Sequence, residues 1–370
     1  EMVYPLNLCR CPNCGLMQLD YIVDPKVLFY PAYPYFTGMT NMLINDFRNL
    51  RDVLMQHYGV KPNDLVVDIG SNDGTLLQGF KEGGAKVLGV EPTNVAIVAQ
   101  KNGIDTLQEF FSEDTVNKII ARYGRAKAVT ATNMFAHVND VYGLAKGIVS
   151  ILDDDGIFVS ESQYLVDMIE KTALDTIYHE HLRYYSLKPI STLLSMVGMS
   201  IVDAERIGAA GGSIRVYAKK GLHFPSQCLT ELLQNEEKLG VYNNDLFQKL
   251  AVKANKLKHD LMAILVKCKQ EGKRIAGIGA PGRSNTLLNF IKIDSNILDY
   301  AAEKKGSPKI GLFTPGTHIP IVDEEIIFSD QPDYGLLLSW HIADELVPKL
   351  KNRGFRGKFI VPLPEPRIID

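Results

Sequence analysis

Residues 64–77 read "DLVVDIGSNDGTLL". The first seven form a short apolar run closed by glycine, the pattern of a buried parallel strand. Asp68, Gly70, Ser71, Asn72, Asp73 and Gly74 then fall at the carboxyl end of that strand. Open α/β sheets bind their ligands at this end. "TLLQGFKEGG" follows as a helix closed by Gly83 or Gly84. The alternation continues outward. "KVLGVEP" (86–92) is a second strand, "VAIVAQKNG" a helix ended by Gly103, and "AKAVTATN" (126–133) another strand. "GIFVSES" (156–162) is a further strand after the turn "DDDG". Strands and helices in this order predict a parallel α/β sheet covered on both faces.

On the amino-terminal side, apolar residues recur at helical spacing from about Asn41 to Tyr58. On the carboxyl side comes a helix "STLLSMVGM". "SIVDAERI" and "GSIRVYAKK" then read as an antiparallel strand pair. The periodic stretch at about 226–270 predicts a linker helix or helix pair. A second α/β unit opens at "KRIAGIGAPGRSNTLLNF" and runs through "YGLLLSW" to "KFIVPLP". No short fixed period repeats, although both halves open with strand, glycine loop and helix.

The 370 residues predict two or three domains. A net charge of −3 leaves no basic stripe for nucleic acid. The apolar runs are far shorter than the roughly 18 residues that span a bilayer. No signal peptide is visible, and cysteine usage points to a reducing, cytoplasmic setting. With Glu1 rather than Met at its head, the sequence is expected to lack its natural start.

The first glycine loop is not a P-loop, because no Gly-Lys-Ser/Thr follows. Without lysine and with several carboxylates, it suits a ligand carrying an amine and a sulfonium charge rather than a polyphosphate. The second strand ends in Glu91, followed by Pro92. An acid placed there accepts hydrogen bonds from both ribose hydroxyls of an adenosine. This is the pattern of S-adenosylmethionine (SAM) methyltransferases. The competing dinucleotide fold lacks its G-x-G-x-x-G. In "ATNMFAHV" (131–138), Asn133 and His137 fit the end of the fourth strand, toward the methionine portion and the substrate.

"IYHEHLRYYS" (177–186) lies beyond the fifth strand, again on the ligand side. His179 and His181 stand two apart, a spacing for strand or loop rather than one helix face. No third ligand stands at suitable spacing, which argues against a metal. Two readings stay open: acid–base chemistry, with tyrosine hydroxyls holding a developing enolate, or polar residues satisfying each other at a domain junction. The second loop is Gly277, Gly279, Ala280, Pro281, Gly282, Arg283, Ser284 and Asn285. Helix-start N–H groups attract phosphate and Arg283 adds charge, so the loop suits a nucleotide diphosphate. Small residues here also simply let strand and helix pack. His318, in "PGTHIPI" (315–321), has no role assignable from sequence.

Together "CPNCGLMQL", "YPYFTG", "VVDIGSNDGTLL", "GVEPT", "NMFAHV", "IYHEHLRYYS", "GGSIRVY", "GAPGRSNTLLNF", "PGTHIPI" and "GKFIVPLP" run in order over nearly the whole chain. The chain resembles the tripartite sugar C-methyltransferases of the NDP-hexose 3-C-methyltransferase type. The resemblance implies a partial zinc-binding, substrate-contacting segment (1–40), a Rossmann-like SAM domain (41–220) and a C-terminal Rossmann-like domain with a leading helical linker (221–370). The implied reaction is methylation at C3 of a nucleotide-linked 4-keto-deoxyhexose, TDP more than GDP. His181 would be the base, Glu180 and Tyr178 would orient it or the sugar, and Tyr33 and His137 would reach the substrate. Asp68, Gly70, Ser71, Asn72, Asp73, Glu91, Pro92 and Asn133 would hold SAM. Tyr35, Gly279, Ala280, Arg283, Ser284 and Asn285 would help place the sugar nucleotide.

Two departures stand out. The family's zinc site takes two Cys-x-x-Cys pairs, and only Cys11 and Cys14 are present, with Cys9 able to help only weakly because its spacing to Cys11 is short. Gly282-Arg283 stands where the family more often has Ala-Lys, which changes the geometry of the charge. The alternatives from other classes are a nucleotide-sugar oxidoreductase using NAD, and a non-catalytic SAM-binding protein.

Overall fold

A computed structural model describes residues 1–28, 36–39 and 41–370. Tyr33 and Tyr35 lie outside the described residues. The chain forms two compact units. One comprises Leu6–Val166 and His179–Tyr242; the other comprises Glu1–Pro5, Asp167–Tyr178 and Asn243–Asp370.

In the first unit, β1 (Leu8–Arg10) and β2 (Met17–Leu19) make an amino-terminal hairpin. The main sheet uses β3 (Leu65–Ile69), β4 (Lys86–Val90), β5 (Thr106–Leu107), β6 (Ala126–Thr132) and β7 (Leu152–Gln163). β8 (Arg183–Tyr184) joins the hairpin, while β9 (Met199–Ile207) and β10 (Ser213–Lys220) complete the main sheet. The seven-stranded order is β5-β4-β3-β6-β7-β10-β9. β3 to β7 are parallel, and β10 runs antiparallel to both β7 and β9.

The chain reverses its direction of travel across the sheet between β3 and β6. With right-handed crossovers, that reversal puts helices on both faces and opens a crevice at the carboxyl edge between those two strands. β3 is buried throughout, which explains its unbroken apolar run. Phe47, Leu50 and Leu54 of the helix Asn41–His57 pack with Leu76, Leu77 and Phe80 of the helix Thr75–Glu82 against Val66, Ala128 and Val159. Burial of side chains of this size contributes about 1.5–3 kcal/mol each.

One sequence expectation shifts. "DDDG" is not a turn before the fifth strand but part of it: β7 begins at Leu152. Its register against β6 jumps between Ala126 and Ala128, and this irregularity absorbs the extra polar residues. The periodic stretch at 226–270 is a helix pair, Gln227–Leu239 and Asn244–Gln270. Ser226 caps the first helix through Leu229 N–H, and Gly240, in left-handed conformation at φ 71°, ends it.

The second unit carries β11 (Ile275–Ile278), β12 (Ala301–Glu303), β13 (Ile321–Asp323), β14 (Tyr334–Leu337), β15 (Lys358–Val361) and β16 (Arg367–Ile369). Their order is β13-β12-β11-β14-β15-β16, parallel except for β16. This is the dinucleotide-fold order, with its reversal point between β11 and β14. The helix Asn244–Gln270 buries Leu250, Ala254, Leu257, Leu261 and Leu265, spaced three and four apart along one stripe. No helix among the described residues is long and apolar enough to cross a membrane.

Candidate active site

The loops after β3, β4 and β6 meet at the carboxyl edge of the seven-stranded sheet. Gly70 has φ 77°, and a Cβ there would lie 2.8 Å from Met134 Cβ, so the loops after β3 and β6 touch because glycine stands at 70. Ser71 is buried, with an Oγ that meets no partner among the described residues. It fits only because residue 89 is glycine: a Cβ there would come within 2.4 Å of that oxygen.

Asp68 is fully buried beneath the loop and accepts a 2.6 Å hydrogen bond from Thr130 Oγ1. Burial pushes its carboxyl up to about 7, against the Thr130 bond and with help from the Glu91 charge. Glu91 is also buried. Its Oε2 accepts from Asn72 N–H at 3.1 Å, and its Oε1 accepts from Thr93 N–H at 2.9 Å and Thr93 Oγ1 at 2.7 Å. Pro92 is half-buried beside it. Two buried carboxylates and an orphaned hydroxyl around an open glycine turn fit the cationic, ribose-bearing SAM. They do not fit a polyphosphate.

The side chains of Asn72 and Asp73 are already engaged. Asn72 Oδ1 accepts from Thr37 N–H at 2.9 Å, and Asp73 Oδ2 accepts from Gly38 N–H at 2.8 Å. The end of "YPYFTG" is thus strapped onto the loop.

The HEH stretch is a turn, as its spacing predicts, leading into β8. Leu182 N–H donates to Ala136 O at 2.9 Å, and the Arg183 guanidinium donates to Val138 O and Asn139 O. On the other side, Leu19 N–H donates to Leu182 O at 2.9 Å, and Met17 pairs with Tyr184 in the β2–β8 ladder. His181 is buried with its ring edge-on to His137, centroids 4.9 Å apart. Backbone groups of Asn133 and Glu180 hydrogen-bond His137, whose imidazole burial pushes down to about 4. His137 is therefore neutral at pH 7. Asn133, His137, Glu180 and His181 come together; Tyr178 lies on the other unit, next in sequence to His179.

Beneath Asn133 lies a network that sequence reasoning missed. Arg215, of "GGSIRVY", is fully buried and donates to Glu161 Oε2 at 3.0 and 3.1 Å, to Asp46 Oδ1 at 2.7 Å and to Glu205 Oε1 at 3.1 Å. Burial, with Asp46 nearby, pushes Glu161 up to about 7 although Arg215 opposes it. Glu161 in turn accepts from Asn133 through both its backbone carbonyl, at 2.8 Å, and its side chain, at 3.4 Å. That helps fix Asn133 at φ 53°. The signal was an arginine flanked by Ile214 and Val216 in a strand.

The second glycine loop is built differently from the expectation. Gly279 N–H donates to Ala302 O, Ala280 N–H to Glu303 Oε2, Ser284 N–H to Pro281 O and Asn285 N–H to Gly282 O. Four N–H groups of the loop and the helix start are thus engaged, two by β12 and two within the loop. Ser284 Oγ is likewise bonded to Pro281 O, at 2.7 Å. Arg283 is committed to Asp175 by two bonds, of 2.6 and 3.0 Å. As built, Gly279, Ala280, Arg283, Ser284 and Asn285 each make at least one hydrogen bond within the chain.

Cys11 and Cys14 face each other in the β1–β2 turn, where backbone N–H groups of Asn13 and Cys14 favour the Cys11 thiolate and burial raises Cys14. Two thiols do not complete a tetrahedral zinc site. Among the described residues no group of three or more His, Cys, Asp or Glu stands ready for a metal. The residues present do not by themselves fit a structural zinc.

Residues 44–204 match the methyltransferase-domain family, and residues 208–364 match the C-methyltransferase C-terminal domain family. C-methyltransferase NovU of Streptomyces niveus is 33% identical over 376 aligned residues, covering 100% of this chain and 89% of that protein. Among solved structures, magnesium protoporphyrin IX methyltransferase from Synechocystis PCC 6803 with bound SAH aligns with a TM-score of 0.40 at 14% identity, over 53% of this chain and 92% of that one. The glycopeptide N-methyltransferase MtfA complexed with SAM gives 0.36 at 14%, over 47% and 93%. The near-complete match to NovU, together with the two domain families in series, places the chain in the C-methyltransferase family, as a SAM-dependent methyltransferase.

Proposed function

We propose that the chain methylates C3 of a nucleotide-linked 4-keto-deoxyhexose, in the synthesis of a branched-chain deoxysugar, with His181 as the base. The observation that carries this reading is the buried His181 ring set edge-on to a neutral His137, in a turn pinned to the loop after β6. A methyl-transfer site that attacks from oxygen or nitrogen has less need of such a base. Carbon must first lose a proton.

SAM, when bound, supplies the methyl group that the nucleophilic carbon takes. The chain's own residues do the rest. His181 takes the C3 proton, and the electron pair moves onto the ketone as an enolate. The neutral His137 cannot compete as an acid near pH 7, and its ring holds His181 in place. Tyr178 and Glu180 orient the base and the sugar, and a tyrosine hydroxyl at the C4 oxygen stabilises the enolate. Asp68 and Glu91 sit where a cationic sulfonium ligand with a ribose is best accommodated, with Ser71 Oγ free to bond it.

The test is a methyl-transfer assay read by mass spectrometry, with SAM and TDP- or GDP-4-keto-6-deoxyhexoses in deuterated solvent. A product heavier by one methyl at C3 is expected, with the TDP sugar preferred. Deuterium entering C3 without methylation would keep the base and reject that sugar. Methylation at oxygen would sink the reading.

A further inference from the structure

The second unit has its own crevice, at the carboxyl edge between β11 and β14, where a sheet of this order takes its ligand. One lip is the loop 279–283 and the other is Ser339–His341. They nearly meet: a Cβ on Gly279 would lie 2.6 Å from Ser339 Oγ. The unit's own chain lies in this crevice. The turn Leu174–Thr176 carries Asp175, whose side chain is fully buried. Arg283 grips it as a fork, Nε to Oδ2 at 2.6 Å and NH2 to Oδ1 at 3.0 Å. Trp340 Nε1 donates to Oδ2 at 2.8 Å, and the guanidinium lies 5.4 Å from the Trp340 ring centre. Thr286 Oγ1, on the helix that follows the loop, donates to Ile177 O at 2.7 Å. His341 beside them is held down to about 4 by burial, and further by Arg283, so it adds no charge. One anion and one cation are matched, and each would be costly to bury alone.

We propose that this crevice is a receptacle for the chain's own segment 172–177, with the Asp175 carboxylate at the position a nucleotide phosphate would otherwise take. Arg283, Trp340 and Thr286 are then positioning residues. They fix the segment that ends in Tyr178 and passes directly into His179, Glu180 and His181. A glycine loop that looks like a nucleotide site thus serves to anchor the segment that ends in Tyr178, the residue before His179 in sequence. The effect on turnover rests on the sugar-methylation reading above; the occupancy of the crevice does not.

Trp340 is the only tryptophan in the chain, so its fluorescence reports this crevice alone. Nucleoside diphosphates, TDP and GDP, titrated into the wild-type protein are expected to leave Trp340 emission unchanged. A saturable change that Arg283→Lys abolishes would overturn the proposal. Asp175→Asn keeps the side chain's volume and removes its charge. It is expected to alter Trp340 emission and increase quenching by iodide, with circular dichroism confirming the fold. Unaltered Trp340 fluorescence in that variant would equally overturn it.

In turnover, Arg283→Lys and Asp175→Asn are expected to lower kcat by about a hundredfold, the scale of a misplaced reacting group, with KM and SAM affinity preserved. A raised KM at unchanged kcat would instead make Arg283 a nucleotide ligand. If the wild type proves inactive on every 4-keto sugar, the fluorescence arms still decide the crevice.

Discussion

The molecule carries two glycine loops at the reversal points of two mainly parallel sheets, and the two loops are bonded differently. Each has an acid at the end of the neighbouring strand that accepts a loop N–H: Glu91 from Asn72, and Glu303 from Ala280. The first loop lies above two buried acids, and Ser71 Oγ has no partner among the described residues. In the second, Lys309 Nζ bonds Ala280 O at 2.8 Å, and Arg283, the cation suited to a ligand, is taken by Asp175. The same local pattern is therefore proposed to serve a ligand in one unit and to anchor the chain in the other. What separates them is which charges the rest of the chain brings to the crevice.

The largest expected effect breaks the first site's chemistry alone. His181→Ala is expected to lower kcat by about 10²–10⁴-fold, the usual worth of a general base, while SAM affinity measured by calorimetry stays unchanged. Equal loss of both would mean that His181 holds the loop rather than the proton.

The next concerns stability. Asp68 titrates at about 7 in the fold against 3.8 in the unfolded chain, which disfavours its ionised form by roughly 4 kcal/mol. Between those values the folded protein binds more protons than the unfolded one. Stability therefore falls as pH rises from about 4 to 7, and the cost is complete above 7. His137 acts in the opposite sense. Depressed to about 4 from 6.5, it makes the fold less stable as pH falls through that window. Asp68→Asn is accordingly expected to gain stability over the wild type as pH rises from 4 to 8 in urea melts, and to lose SAM affinity. A variant that loses stability at pH 8 would show the carboxylate to be well solvated or paired.

The smallest effects separate the two loops by backbone. Gly70→Ala forces a side chain into a left-handed turn and against Met134, at a cost of about 1–2 kcal/mol. Gly282→Ala meets no atom within 4 Å of its Cβ and is expected to stay within about 0.5 kcal/mol by thermal melting. If the two variants melted alike, the close contact at Gly70 would not matter.

Much of this was legible in the sequence, because it depends on neighbours along the chain. Apolar runs closed by glycine marked β3 and β11, and alternation marked the β9–β10 pair. The two-residue spacing of His179 and His181 marked a strand or loop rather than one helix face. What was not legible depends on pairs far apart. Asp175 and Arg283 are 108 residues apart, and Arg215 and Asp46 are 169 apart. No periodicity announces such pairs. Arg283 read as a free cation because its partner was unseen. Likewise, "DDDG" read as a turn because a polar run looks like one until β6 shifts its register to accept it.

The account's central claim is that the open crevice, and not the anchored one, receives the methyl donor. The most direct measurement is calorimetric titration of SAM into the full chain, into Glu91→Ala and into Glu303→Ala. The account predicts one equivalent bound by the wild type, a loss of about ten- to a hundredfold in affinity for Glu91→Ala on the scale of a charged hydrogen bond, and unchanged affinity for Glu303→Ala. Affinity that survives Glu91→Ala and disappears with Glu303→Ala would contradict it.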